Sequence, residues 1–96
     1  MNYLSKYLIE EAAAISSSAK NLDDKEVCKA LDLLDNIYKN KLKVIISGVG
    51  KSGIVARKIA ATFSSVGLTS IYLNPLDALH GDIGIVNKND LCILLS

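Results

Sequence analysis

One transition constrains the fold more than any other feature. The β-branched run Val44-Ile45-Ile46 passes into Gly48-Val49-Gly50-Lys51-Ser52-Gly53, and an apolar helical pattern follows from Ile54 to Val66. A strand, a glycine turn and a helix in that order form the unit from which layered α/β domains are assembled. Two more apolar runs follow. Ile71-Tyr72-Leu73 comes after Gly67 and is broken by Asn74-Pro75, and Leu91-Cys92-Ile93-Leu94-Leu95 comes last. Near-continuous apolar runs suit strands buried on both faces of a parallel sheet.

Two helices precede this unit. Leu4, Leu8, Ala12, Ile15 and Ala19 recur at steps of three and four, which predicts a helix over 2–19. Asn21 and Asp23 offer cap oxygens, and Asp23 with Glu26 three residues later reads as a capping box, so a second helix is expected from about Asp24 to Lys41. Its apolar positions are Val27, Ala30, Leu31, Leu34, Ile37 and Tyr38.

With 96 residues the chain holds one small domain. We divide it into a helical lead-in over 1–41 and a strand-loop-helix core over 42–96. Half of the residues are hydrophobic and 22% are charged, the balance of a chain that buries a core. A net charge of +1 with no basic stripe argues against nucleic acid as a partner. Cys28 and Cys92 have neither zinc-site spacing nor the density of a disulfide scaffold, which fits a reducing cytoplasm. Glu10 and Glu11 interrupt the N-terminal segment before any long apolar stretch, so no signal peptide or membrane span is expected. The last apolar run would leave a core strand as an open edge, and the expectation is of a sheet truncated after about three strands, hence a fragment.

The glycine segment is the first candidate site. Free amides and the positive end of the helix dipole at a strand-to-helix turn hold anions, and phosphate is the natural one. The run matches GxGxxG, yet a dinucleotide site also wants an acidic residue after the second strand, where Asn74 stands. A nucleotide-triphosphate loop needs glycine where Ile45 stands. Glycines there can also serve a tight turn alone. Lys51 favours a ligand, because a lysine at a helix start opposes the dipole by roughly 0.3–1 kcal/mol unless an anion relieves it. The second candidate is the segment 74–84, which holds the only histidine. His80, beside Gly81 and Asp82, could exchange protons near neutral pH with the carboxylate orienting it, or could be an ordinary surface side chain in a turn.

Taken together and in order, Gly48 to Gly53, Arg57 to Gly67 and His80-Gly81-Asp82 resemble the arabinose-5-phosphate isomerases of the sugar isomerase (SIS) family. The likeness is specific over about 40–96. It implies a three-layer αβα fold around a parallel sheet, and interconversion of D-ribulose 5-phosphate and D-arabinose 5-phosphate through an enediol, on the route to a lipopolysaccharide sugar. It implies no cofactor and, with Asn74 where relatives often carry histidine, no metal. Lys51 and His80 would be catalytic. The substrate would be bordered by Gly48, Gly50, Lys51, Ser52, Gly67, Leu68, His80, Gly81, Asp82 and Ser96, the last where the family begins its serine-rich phosphate loop. The general base expected beyond Ser96 is not in the chain, so the 96 residues are expected to be marginally stable and inactive alone. The family also implies a homo-oligomer, a tetramer in full-length form, often with CBS domains that this chain does not contain. Two other readings stay open: a regulator module that binds a sugar phosphate without turning it over, and a hexulose or heptulose phosphate isomerase.

Overall fold

The computed structural model describes residues 2–96. They divide into two compact units, one ending at Ala30 and the other spanning Leu31–Ser96.

The first unit contains helix α1, Tyr3–Lys20, and the start of α2, Asp24–Lys39. Asn2 caps α1, its side-chain oxygen accepting the Ser5 N–H at 2.7 Å, a cap the periodicity alone does not identify. No residue of α1 is buried. Asp23 caps α2 by accepting the Lys25 N–H at 2.9 Å. The reciprocal half of the expected capping box is not made; the Glu26 carboxylate instead lies 3.5 Å from Lys29 Nζ.

The second unit is built on a parallel three-stranded sheet of order β2-β1-β3, with β1 Val44–Gly48, β2 Ser70–Tyr72 and β3 Leu91–Leu95. Ile45 is in register with Ile71 on one side and Cys92 on the other. All five residues of β1 are buried, as a central strand in a parallel sheet requires. Because side chains alternate across a strand, Val44 and Ile46 point to one face and Ile45 and Ser47 to the other. Helix α3, Lys51–Ser65, covers the Val44 face. It can do so closely because its inner row is Gly53, Ala56 and Ala60, all buried and all small. Ile37 from the end of α2 completes this core.

Burial on both faces does not extend to the edge strands. In β3, Leu91, Ile93 and Leu95 pack toward the core, whereas Cys92 and Leu94 are exposed. An edge strand with one covered face keeps the period of two that the continuous apolar run conceals.

Both long helices of this unit end in the same way. The Leu42 N–H reaches back to the Ile37 carbonyl (3.0 Å) and the Lys41 N–H to Tyr38 (3.3 Å), which closes α2 two residues before the expected end. The Leu68 N–H likewise reaches Phe63 (3.0 Å) and the Gly67 N–H reaches Ser64 (3.1 Å). These paired bonds are Schellman closures, which need a left-handed residue just past the helix. Gly67 supplies it at φ 90°, and Lys41 adopts it at φ 54°.

At the N-terminal ends of β1 and β3 a single carboxylate joins the strands. Asp90 Oδ2 lies 2.6 Å from Lys43 Nζ and accepts the Asn87 N–H at 2.8 Å, while Oδ1 accepts the Lys43 N–H at 3.2 Å. The Asp90 side chain is only 2% exposed. The Lys43 hydrogen bond, followed by that of the Asn87 backbone, holds its carboxyl below the usual value.

Candidate functional site

The strand-to-helix crossover stands at the C-terminal end of β1, where open parallel sheets present ligands to their loops. Helix α3 starts at Lys51, three residues earlier than the expected Ile54, because Gly50 serves as its N-cap residue. Gly50 has φ 61° and ψ −127°, a conformation open to glycine, and nothing lies within 4 Å of where its Cβ would be. The first intrahelical bonds are those of the Gly53 and Ile54 N–H groups to the Gly50 carbonyl, at 3.0 and 3.3 Å. The Lys51 and Ser52 amides precede them. No side chain caps this end, and no acidic residue occupies the first turn. An uncapped helix start with a lysine at its first position is receptive to an anion.

Two concavities flank this crest. One, of about 410 Å³, is lined by Ser47, Gly48, Ser52, Leu94, Leu95 and Ser96 among others. The other, of about 340 Å³, lies between the glycine turn and the next segment, and is lined by Gly48, Gly50, Tyr72, Asn74, Pro75 and Leu79 among others. Of the residues expected to border a ligand, Gly48, Gly50, Ser52 and Ser96 are therefore brought to one end of the sheet, with Lys51 exposed on the crest itself.

Segment 74–84 is more ordered than its sequence suggests. Pro75–Leu79 forms a short helix, α4, and Asp82–Ile85 a 3-10 turn. Asn74, the residue that breaks β2, is the cap: its Oδ1 accepts the Leu76 and Asp77 N–H groups at 2.8 and 3.4 Å. Asn followed by Pro is an N-cap followed by the first helical position, so the same pair that ends the strand also starts a helix. His80 ends α4, its N–H bonded to the Asp77 carbonyl at 3.1 Å, and its ring is exposed. Gly81 follows at φ 123°, and Asp82 opens the 3-10 turn, also exposed. Among the described residues no hydrogen bond or ion pair joins His80 to Asp82, so the expected orienting contact is not made; the positive φ at Gly81 turns the chain between them.

Gly67 and Leu68 are not brought to this site within the chain. They close the far end of α3, which at 15 residues places them about 22 Å along the helix axis from its start. Leu68 packs against the core, and Gly67 borders a separate concavity with Tyr38, Lys41 and Thr69. Sequence reading missed two groups beneath the crest. Ser47 Oγ donates to the Leu73 carbonyl at 2.6 Å, and the Tyr72 hydroxyl donates to the Gly48 carbonyl at 3.1 Å. Among the described residues there is no cluster of three or more His, Cys, Asp or Glu suited to a metal, and no helix long and apolar enough to cross a membrane.

No family model matches the chain. It is 44% identical over 89 residues to the arabinose 5-phosphate isomerase KpsF of Escherichia coli O6:H1, an alignment that covers 93% of this chain and 26% of that protein. Among solved structures, an Escherichia coli CFT073 protein in complex with arabinose 5-phosphate superposes with a TM-score of 0.81 at 36% identity, covering 100% of this chain and 52% of the other. A candidate phosphosugar isomerase from Bacteroides fragilis, involved in capsule formation, gives a TM-score of 0.81 at 36% identity, over 97% of this chain and 50% of that one. The chain thus spans about a quarter of the length of the curated relative and about half of each solved one.

Proposed function

From its homology to the arabinose 5-phosphate isomerases, which carries with it the α/β fold of the SIS phosphosugar isomerases, we propose that this chain forms the glycine-turn part of a sugar-phosphate isomerase site. The reaction assigned to that site is the interconversion of D-ribulose 5-phosphate and D-arabinose 5-phosphate, supplying a lipopolysaccharide precursor in the cytoplasm.

The observation that carries this reading is the uncapped start of α3, with Lys51 at its first position beside a concavity lined by Ser47, Ser52 and Ser96. A sugar phosphate brings an anion to oriented amides and hydroxyls to the serines. Aldose-ketose isomerisation moves one proton between C1 and C2 through an enediol. It needs a base at the carbon and a donor for the oxyanion that develops on the neighbouring oxygen. In our assignment the Lys51 ammonium supports that developing charge, and the imidazole of His80 shuttles a proton to or from a hydroxyl. A homo-oligomer, a tetramer in the full-length protein, is part of the same reading.

The test is titration of the chain with arabinose 5-phosphate, ribulose 5-phosphate and inorganic phosphate, following backbone amides by NMR, alongside a coupled turnover assay. Saturable shifts at Gly50, Lys51 and Ser52 that are larger for the pentose phosphates than for phosphate support the reading. Binding without turnover in a longer protein that also carries the general base would favour a regulator module, and shifts confined to other residues would overturn the assignment of the site.

A further inference from the structure

We propose that Tyr72 is a positioning residue for the ligand-binding turn, acting through the Gly48 carbonyl; this rests on the sugar-phosphate reading of the crest. The Tyr72 hydroxyl donates to Gly48 O at 3.1 Å, from the neighbouring strand β2. Among the described residues it is the one side-chain hydrogen bond made to 48–53. Gly48 is the last residue of β1, and two residues later Gly50 has open space around it. Beyond its strand pairing with Leu95, the turn is therefore held by a side chain at one point, the Gly48 carbonyl, while space is open at Gly50.

Three further features belong to this anchor. Gly53 leaves the room for it: a Cβ there would stand 2.7 Å from Gly48 O and 3.0 Å from the Tyr72 hydroxyl oxygen. The Arg57 guanidinium sits over the Tyr72 ring, with its central carbon 4.8 Å from the ring centroid. That stacking fixes the ring, and the nearby positive charge makes the phenol a stronger donor. Tyr72 also lines the concavity between the turn and α4, so the hydroxyl couples the floor of that space to the peptide that leads into Gly50. Fixing the Gly48 carbonyl fixes the plane of the Gly48–Val49 peptide, and through it the direction of the amides from Val49 to Ser52. Amides already aimed at an anion bind it without a further ordering cost.

The experiment compares Tyr72→Phe with the unaltered chain. The phenylalanine keeps the ring and the Arg57 stacking and removes only the donor. Three quantities are read: the dissociation constant for arabinose 5-phosphate by NMR, hydrogen exchange at the Val49 to Ser52 amides, and Tm. The expected result is a roughly threefold to tenfold weaker binding, the range of one hydrogen bond, together with faster exchange confined to those amides. Tyr72→Leu, which also removes the ring, should lower Tm in addition. Unchanged exchange and affinity in Tyr72→Phe would overturn the proposal, as would faster exchange spread evenly over the sheet with a matching fall in Tm. If the unaltered chain binds no sugar phosphate while Tyr72→Phe still accelerates exchange only at the turn, the sugar-phosphate reading fails and the anchor stands.

Discussion

Replacing Gly53 with alanine sets two effects of opposite sign against each other. Gly53 is the third residue of α3, and in an unhindered helix interior alanine is favoured over glycine by about 0.8–1 kcal/mol. Here the added Cβ would lie 2.7 Å from the Gly48 carbonyl oxygen, a backbone atom of the central strand that is also hydrogen-bonded to Tyr72. Relief requires α3 to move off β1, the contact on which Ala56, Ala60, Val44 and Ile46 depend. Overpacking of this kind costs about 1–3 kcal/mol, and a rigid backbone neighbour puts it at the upper end. The steric term outweighs the propensity, and the net loss is about 1–2 kcal/mol. For a domain of this size each kcal/mol lowers Tm by roughly 4–8 °C. Thermal unfolding followed by circular dichroism provides the assay. Gly84→Ala is the control, since nothing lies within 4 Å of its Cβ position and its φ is not positive. An unchanged or raised Tm in Gly53→Ala would refute the close-approach argument.

Three other outcomes are expected. Lys41→Gly should stabilise the chain by about 0.5–1 kcal/mol in urea unfolding, because glycine occupies the left-handed closure of α2 without the side-chain penalty that lysine bears at φ 54°. Asp90→Asn should destabilise at pH 7, and the deficit should shrink as pH falls below the ordinary carboxyl value of 3.8. A carboxyl with a lowered folded pKa stabilises above its unfolded value and loses that contribution as pH falls through the folded one, so urea melts at pH 7 and below pH 3.8 reveal the sign. Lys51→Met should weaken arabinose 5-phosphate binding severalfold with little change in Tm, because Lys51 is exposed and the helix start is relieved of an unfavourable charge.

The parts of the fold legible in the sequence were those governed by local pattern. Val44 to Ile46 and Leu91 to Leu95 announced themselves as strands by β-branched and apolar runs, and α1 and α2 by their period. The half-exposure of β3 was hidden because Cys92 and Leu94 are as apolar as the inward-facing Leu91 and Ile93 beside them, so side-chain chemistry carried no sign of face. Around the site, the glycine turn was readable because its residue types have few other uses. The start of α3 at Lys51 was not, since a positive-φ cap at Gly50 looks in sequence like any loop glycine. Gly67 and Leu68 were assigned to the sugar by resemblance, yet their place in this chain follows from the geometry of helix closure. The Tyr72 and Asp90 contacts span 24 and 47 positions, and no local window contains both partners.

The carboxylate of Asp90 and the hydroxyl of Tyr72 grip β1 at opposite ends, one where the strand begins and one where it hands over to α3. The join between β1 and β3 made by Asp90 thus lies at the end of the strand away from the glycine turn. Exposed positions of the crest such as Lys51 can change without touching the join between β1 and β3, and changes at Lys43 or Asp90 can retune how firmly the strands hold together while the turn keeps its shape. Such a division gives the scaffold room to acquire new specificities in its loops at little risk to its own folding.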